Sequence, residues 1–262
     1  MSFPRRRRGA SSEVGRVPYS SGGELAKLPP GHPCETCTVR PFAFCRRLCA
    51  NTLAGLRALG TMQRLQPEQP LFHEGDPAKN VFMLTAGALK IYTLLADGRR
   101  QVTGFMFPGD FLGISIDDEY AFSVEALLDS ELWWFSRATF DGFVAAHPDL
   151  ERELYRLAAH ELAAAQQQMV LLGRKTAAER VATFFLNVLA KTEHISGKPE
   201  SHFDLPMSRL DIADYLGLTK ETVSRMLAVL RSRGLIRLQA QDRVQVLDRA
   251  GLQAMTDGFG GA

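Results

Sequence analysis

Residues 208–234 constrain this chain more than any other stretch. Ser208-Arg-Leu-Asp-Ile-Ala-Asp-Tyr-Leu-Gly217, followed by Leu218-Thr-Lys-Glu221-Thr-Val-Ser224-Arg225-Met-Leu-Ala-Val-Leu-Arg-Ser-Arg-Gly234, has the layout of a helix-turn-helix. Ile212, Ala213 and Leu216 put an apolar stripe on a first helix, and Gly217 permits a tight turn. Thr219 can cap a second helix whose Val223, Leu227 and Leu230 face inward. The outward face then carries Lys220, Glu221, Ser224 and Arg225. In a major groove Arg forks onto guanine, Glu accepts from the cytosine amine and Ser serves either base. Thr219, Lys220 and Thr222 are placed for phosphates, so the expected partner is double-stranded DNA. Two amphipathic helices with a solvated outer face are the plain alternative to this reading. Leu235-Ile-Arg-Leu238 and Arg243-Val-Gln-Val-Leu247 predict a short hairpin next, a wing, with Arg225, Arg231, Arg233, Arg237 and Arg243 gathered at its edge.

At 262 residues the chain is too long for that module alone, so a second domain is expected. The balance of 31 basic against 29 acidic side chains, net +2, makes any nucleic-acid surface local. No apolar run approaches the roughly 18 residues of a membrane span, and Arg5–Arg8 is followed by Gly, Ser and Glu where a signal peptide would turn apolar. Residues 1–30 read as a disordered basic arm, and the protein is expected in the cytoplasm. Over 61–146, short apolar runs are punctuated by glycines at 75, 87, 98 and 109, the pattern of an antiparallel β jelly roll. No G-x-x-x-x-G-K-[ST] phosphate loop occurs. Residues 147–173 turn helical, with Leu150, Leu154, Leu157, Leu171 and Leu172 expected to bury a stripe against a second copy, making a homodimer. The fold class is therefore α+β: a segment over 31–60, the barrel, the long helix, a winged helix-turn-helix over 174–250 and a tail over 251–262.

Barrel, long helix and winged reader in this order resemble the CRP/FNR superfamily of bacterial transcription regulators over about residues 31–250. The likeness rests on Pro108-Gly-Asp-Phe-Leu-Gly113, Leu172-Gly-Arg-Lys-Thr-Ala-Ala-Glu-Arg180 and Leu216-Gly-Leu-Thr-Lys-Glu-Thr-Val-Ser-Arg225. The resemblance implies a cyclic-nucleotide-binding-like jelly roll, a dimerisation helix and RNA polymerase as a partner. In the FNR branch an E-x-x-S-R motif reads the operator; here it matches Glu221, Ser224 and Arg225 and implies an inverted repeat close to TTGAT-N4-ATCAA. An enzyme is not expected: the histidines at 32, 73, 147, 160, 194 and 202 form no H-x-x-x-H pair. Asp117, Asp118 and Glu119 read as an exposed acidic loop.

Two features bear on what switches the reader. Cyclic-nucleotide-binding members hold the phosphate with an Arg-Ser pair, whereas Leu112–Val124 has three acidic residues and no arginine, so no cyclic nucleotide is expected. All four cysteines lie close together, as Cys34-x2-Cys37-x7-Cys45-x3-Cys49. Reduced thiols at this spacing point to zinc or an iron–sulfur cluster rather than disulfides, and spacing does not choose between the metals. The resemblance favours iron. FNR-type oxygen sensors carry a [4Fe–4S] cluster on an N-terminal cysteine group, and C-x2-C-x7-C is similar to that of the FnrL and FnrN branch. Those proteins draw a fourth ligand from a barrel cysteine, where this chain has Trp133. The expectation is an oxygen-responsive site on Cys34, Cys37, Cys45 and Cys49; His32 as fourth ligand, or loss of the cluster, are the alternatives. A cluster-free regulator, controlled by abundance or an unknown ligand, is the other functional reading.

Overall fold

The computed structural model describes residues 27–32, 34–115, 117–239 and 242–256. The expected basic arm lies outside the described residues up to residue 26, as does the tail beyond 256. A 3₁₀ turn at Phe44–Arg47 and helix α1, Ala50–Leu59, lead into eight strands: β1 Thr61–Leu65, β2 Pro70–Phe72, β3 Asn80–Ala86, β4 Leu89–Leu94, β5 Arg100–Met106, β6 Phe111–Leu112, β7 Ser123–Ala126 and β8 Ser130–Ser136. They form two four-stranded antiparallel sheets, ordered β1-β8-β3-β6 and β2-β7-β4-β5. Leu84, Leu89, Val124 and Leu132 are fully buried between them, so alternate side chains of each strand supply the core and their neighbours face out. The predicted glycine turns are real. At the β3–β4 turn Gly87 has φ 90°, and a Cβ there would lie 2.2 Å from Ser130 Oγ, so no other residue fits.

Helix α2, Arg137–Ala146, packs on the barrel and is followed by α3, Pro148–Arg174. Proline opens α3 at a position where its missing N–H costs nothing, and 27 residues carry it about 40 Å. The stripe expected to meet a second copy is largely spent inside the chain. Leu150 and Leu157 are buried with Leu48, Leu53 and Phe140 beneath the cysteine segment, and Leu171 lies in the core of the C-terminal domain. The large apolar residues that α3 leaves outside are Tyr155, Leu162 and Met169, 77%, 61% and 65% exposed at heptad spacing, together with Val170 beside Met169.

The C-terminal domain holds α4 Ala177–Ser196, β9 His202–Asp204, α5 Arg209–Leu216, α6 Lys220–Ser232, β10 Ile236–Leu238, β11 Arg243–Val246 and α7 Arg249–Thr256. Its core centres on Val181, Phe185, Ile212, Leu216, Val223, Leu230, Val244 and Leu252. Residues 251–256, expected as tail, belong to α7 instead: Leu252 and Met255 are buried in that core. Two apolar residues beside Gly251 are too few for periodicity to announce a helix. Among the described residues no helix is long and apolar enough to cross a membrane.

Candidate nucleic-acid interface and the cysteine segment

Helix α5 begins at a reciprocal cap: Asp211 N–H donates to Ser208 Oγ at 3.1 Å, and Ser208 N–H to the Asp211 carboxylate at 3.0 Å. It ends at Gly217, whose φ of 61° turns the chain and whose Cβ-free face lies beside Leu172 and Arg180. Thr219 then caps α6, its Oγ1 accepting the Thr222 N–H at 3.1 Å. Val223, Leu227 and Leu230 are buried, and this fixes the rotation of α6. Thr219, Lys220, Glu221 and Arg225 consequently stand exposed, with Thr222 and Ser224 half-buried between them. Arg225 Nη2 donates to Thr222 Oγ1 at 3.2 Å, and Thr222 shares a 3.0 Å contact with the Thr219 hydroxyl, so the guanidinium is aimed before any ligand arrives. The six residues proposed from sequence thus gather on the first turns of α6, at its positive end, able to take both phosphates and base edges.

The predicted hairpin is present, and β9 pairs with β11 as a third strand that sequence reading missed, since three residues carry no periodicity. Arg237 and Arg243 are exposed on this wing, Arg243 lying 3.5 Å from Asp204. Arg231 and Arg233 are exposed at the end of α6. Arg180 entered the sequence reading only as the last residue of a motif, without its role. Arg180 of α4 donates to Leu172 O at 2.8 Å, Lys175 O at 2.9 Å and Leu216 O at 2.8 Å, joining the ends of α3 and α5 to the linker between α3 and α4. These carbonyls include orphans of helix termini, which only a long-range contact could reveal.

The cysteine segment divides. Cys34 and Cys45 are buried, Cys37 is half-buried, and the three line one cavity of about 30 Å³ with Arg40, Arg57, Trp133 and Phe135, room for a water molecule or two. Burial, reinforced by the neighbouring thiols, pushes Cys45 up to about 12 and raises Cys34, against the pull of Arg40 and, for Cys34, Arg57. Both are therefore neutral thiols near pH 7. Cys49 stands apart and exposed. Its sulfur caps α1 toward the Thr52 N–H at 3.5 Å, and its own N–H donates to Asp149 Oδ2 at 3.1 Å. Thr52 donates to the same carboxylate at 3.0 Å. Burial works to raise Asp149, but these donors outweigh it and hold the carboxyl below its usual range. His32 is not spare either: Nδ1 accepts the Cys34 N–H at 3.0 Å and Nε2 meets Ala50 O at 2.9 Å.

Trp133 faces the thiol cavity where the resemblance expects a ligand, its ring 4.2 Å from the Arg57 guanidinium. Among the described residues no three Cys, His, Asp or Glu side chains are set together as metal ligands. A four-thiolate [4Fe–4S] site is therefore not preformed: three thiols line one cavity, and the fourth serves as a helix cap.

A family description of a Crp-like helix-turn-helix domain matches residues 179–255, and one of a cyclic nucleotide-binding domain matches 62–147. The nitrogen fixation regulation protein FixK of Bradyrhizobium diazoefficiens is 38% identical over 227 residues, covering 87% of this chain and 95% of that protein. The transcriptional activator protein FnrL of Cereibacter sphaeroides is 35% identical over 236 residues, 88% of this chain and 95% of its own. The solved structure of FixK2 from Bradyrhizobium japonicum is similar with a TM-score of 0.70 at 35% identity, covering 75% of this chain and 96% of that one. A CooA mutant from Carboxydothermus hydrogenoformans, TM-score 0.65 at 20% identity over 77% and 90%, shares the fold.

Proposed function

We propose, for this chain, which belongs to the CRP/FNR family of DNA-binding transcription regulators, that it works as a homodimer reading an inverted repeat through Glu221, Ser224 and Arg225 of α6. It is a regulator and not an enzyme. The observation that carries the reading is the exposed face of α6, with Arg225 pre-aimed by Thr222 and rotation locked by three buried residues. Thr219, Lys220 and Thr222 hold phosphates in this reading, and the Tyr155–Leu162–Met169 stripe joins two copies so that two α6 helices meet adjacent major grooves. RNA polymerase is the expected protein partner. The test is binding to TTGAT-N4-ATCAA against a scrambled duplex of equal length. Preference of at least about a thousandfold supports the reading, and equal affinity overturns it.

The input of the switch is the second part of the proposal. Three thiols around one cavity, in one buried cluster with Leu150 and Leu157 of α3, support a redox-responsive cysteine segment, and oxygen is the oxidant that the resemblance to FNR-type sensors implies. A cyclic nucleotide is not the proposed effector: Arg137, the cation beside the loop at 113–120, is already held by Ala78, Ser115 and Asp117 carbonyls. A [4Fe–4S] cluster on Cys34, Cys37, Cys45 and Cys49 asks Cys49 to leave its cap. Iron, sulfide and zinc analysis of anaerobically purified protein tests this. About four irons per subunit, lost in air together with operator affinity, supports the cluster and the oxygen response. Iron-free protein with unchanged binding leaves a cluster-free regulator, and stoichiometric zinc makes the cysteines structural.

A further inference from the structure

Two strands of the barrel hold the helix on which the reader is mounted. Lys90 on β4 is 8% exposed at its side chain and contacts two carboxylates, Glu125 of β7 at 2.8 Å and Asp211 of α5 at 3.3 Å. Glu125 is its register partner across the sheet, so Lys90 is already neutralised within the barrel and its second bond reaches outward. Arg100 on β5 has no such internal partner. Its Nη2 lies 2.8 Å from Asp211 and 2.9 Å from Asp214, and its Nε donates to Asp214 at 3.0 Å. Gln101 adds a bond from Nε2 to the Asp214 carbonyl at 2.6 Å. Phe105 of β5 packs with its ring centroid 5.2 Å from Tyr215, closing the contact with an apolar edge.

The two aspartates are three apart on α5, one turn and one face, and that face is opposite the one packed against α6. Asp211 is also the residue that closes the α5 cap with Ser208, so a single buried carboxylate ties the start of the scaffold helix to the barrel. Lys90 and Asp211 are buried and Arg100 and Asp214 partly so, which makes these pairs directional and costly to leave half-made, a device for fixing orientation. Because α5 and α6 share a core through Ile212, Leu216, Val223 and Leu227, an angle imposed on α5 is imposed on α6. We propose that Lys90 and Arg100 are positioning residues for operator recognition: they set the angle of each reader helix to its barrel, and so the half-site spacing that a dimer accepts. The proposal rests on the reading of α6 given above.

Arg100→Gln removes the ion pairs to Asp211 and Asp214, Asp214→Asn removes only the second, and both leave the α6 face intact. Each full-length variant is compared with wild type on inverted repeats whose spacer is four or five base pairs. The expected result is a fall of about tenfold in the preference for the four-base spacer in Arg100→Gln and a smaller fall in Asp214→Asn, with the double variant no worse than Arg100→Gln alone. A spacing preference unchanged in both single variants, or additive losses in the double, would overturn the proposal. Calorimetry without DNA provides a second reading of the latch. Barrel and C-terminal domain should unfold together in wild type and separately in both variants; a single transition in all three refutes it. Wild-type protein with no preference for the inverted repeat over scrambled DNA would instead remove the reading of α6, and the positioning role with it.

Discussion

Replacing Arg180 by alanine isolates the cost of the hinge. The guanidinium makes three bonds of 2.8–2.9 Å to Leu172, Lys175 and Leu216 carbonyls. Hydrogen bonds to a charged group contribute about 1.5–3 kcal/mol each when sheltered. Arg180 is half-buried, so water recovers part of every bond, and about 1 kcal/mol apiece gives a total near 3 kcal/mol. Alanine adds no helix penalty in α4, which keeps the loss attributable to those bonds. Both tryptophans, Trp133 and Trp134, lie on β8 in the barrel, so their fluorescence reports the barrel while far-UV circular dichroism adds the helices of the C-terminal domain. In urea the dichroism transition of Arg180→Ala should shift by about 3 kcal/mol and the fluorescence transition should move with it, because the barrel and the C-terminal domain unfold together. Arg180→Lys should recover no more than about 1 kcal/mol, because one ammonium cannot span three carbonyls. A variant within about 0.5 kcal/mol of wild type, or complete rescue by lysine, refutes the reasoning.

Arg225→Ala should lose about 1–3 kcal/mol per half-site on the operator while binding scrambled DNA almost as before; an equal loss on both would reassign Arg225 to phosphate. Leu162→Asp should give monomers by light scattering with the fold intact, since Leu162 is exposed in the single chain, whereas Leu157→Ala should cost about 2–4 kcal/mol of stability. Alkylation followed by mass spectrometry should mark exposed Cys49 well before Cys45, whose thiol sits at about 12, and simultaneous labelling would contradict the buried placement. Burial holds the His194 imidazole below its ordinary 6.5, and its Nε2 meets Phe42 O at 3.2 Å. A depressed folded pKa means that this contribution is present above 6.5 and lost as pH falls through the folded value, so thermal stability should decline toward pH 5 more steeply than in His194→Gln.

What the sequence revealed follows the range of the interaction concerned. Thr219, Gly217 and the Val223–Leu227–Leu230 spacing are local signals, and the helix-turn-helix appears at the positions they name. The barrel was legible for the same reason, since glycine turns recur with the strands. Leucine spacing on α3 foretold the helix but not its partner. Periodicity marks a buried stripe without saying what buries it, and Leu150 and Leu157 turned out to face the cysteine segment. The cysteines show the limit most sharply. Spacing placed four thiols in one short segment; that Cys49 points to Thr52 while the others share a cavity depends on where α1 and α3 meet. Lys90 and Arg100 left no local trace, because their partners on α5 lie 111 to 121 residues away, and Arg180 stood in a quoted motif whose bond to Leu216, 36 residues on, nothing local announces.

The elements that touch the cysteine segment also touch the reader's scaffold. Cys49 and Thr52 bind Asp149 at the start of α3, Arg47 lies 3.8 Å from Glu153 one turn on, and Phe42 O meets His194 of α4. At its other end α3 bonds α5 through Gln168 and the Tyr215 carbonyl at 3.0 Å, and α4 does so through Arg180 and Leu216. A rearrangement that moves the Cys49 backbone removes one donor from Asp149 and leaves Thr52 as the other, so it loosens the first turn of α3 without releasing it. Beside the apolar packing of Leu150, Leu157 and Leu171, the polar links are single hydrogen bonds and ion pairs, each breakable at a cost of order 1 kcal/mol. That scale matches the free energy by which effectors shift regulators, typically about 1–3 kcal/mol. A much stiffer junction would resist the input and a weaker one would leave the reader untethered.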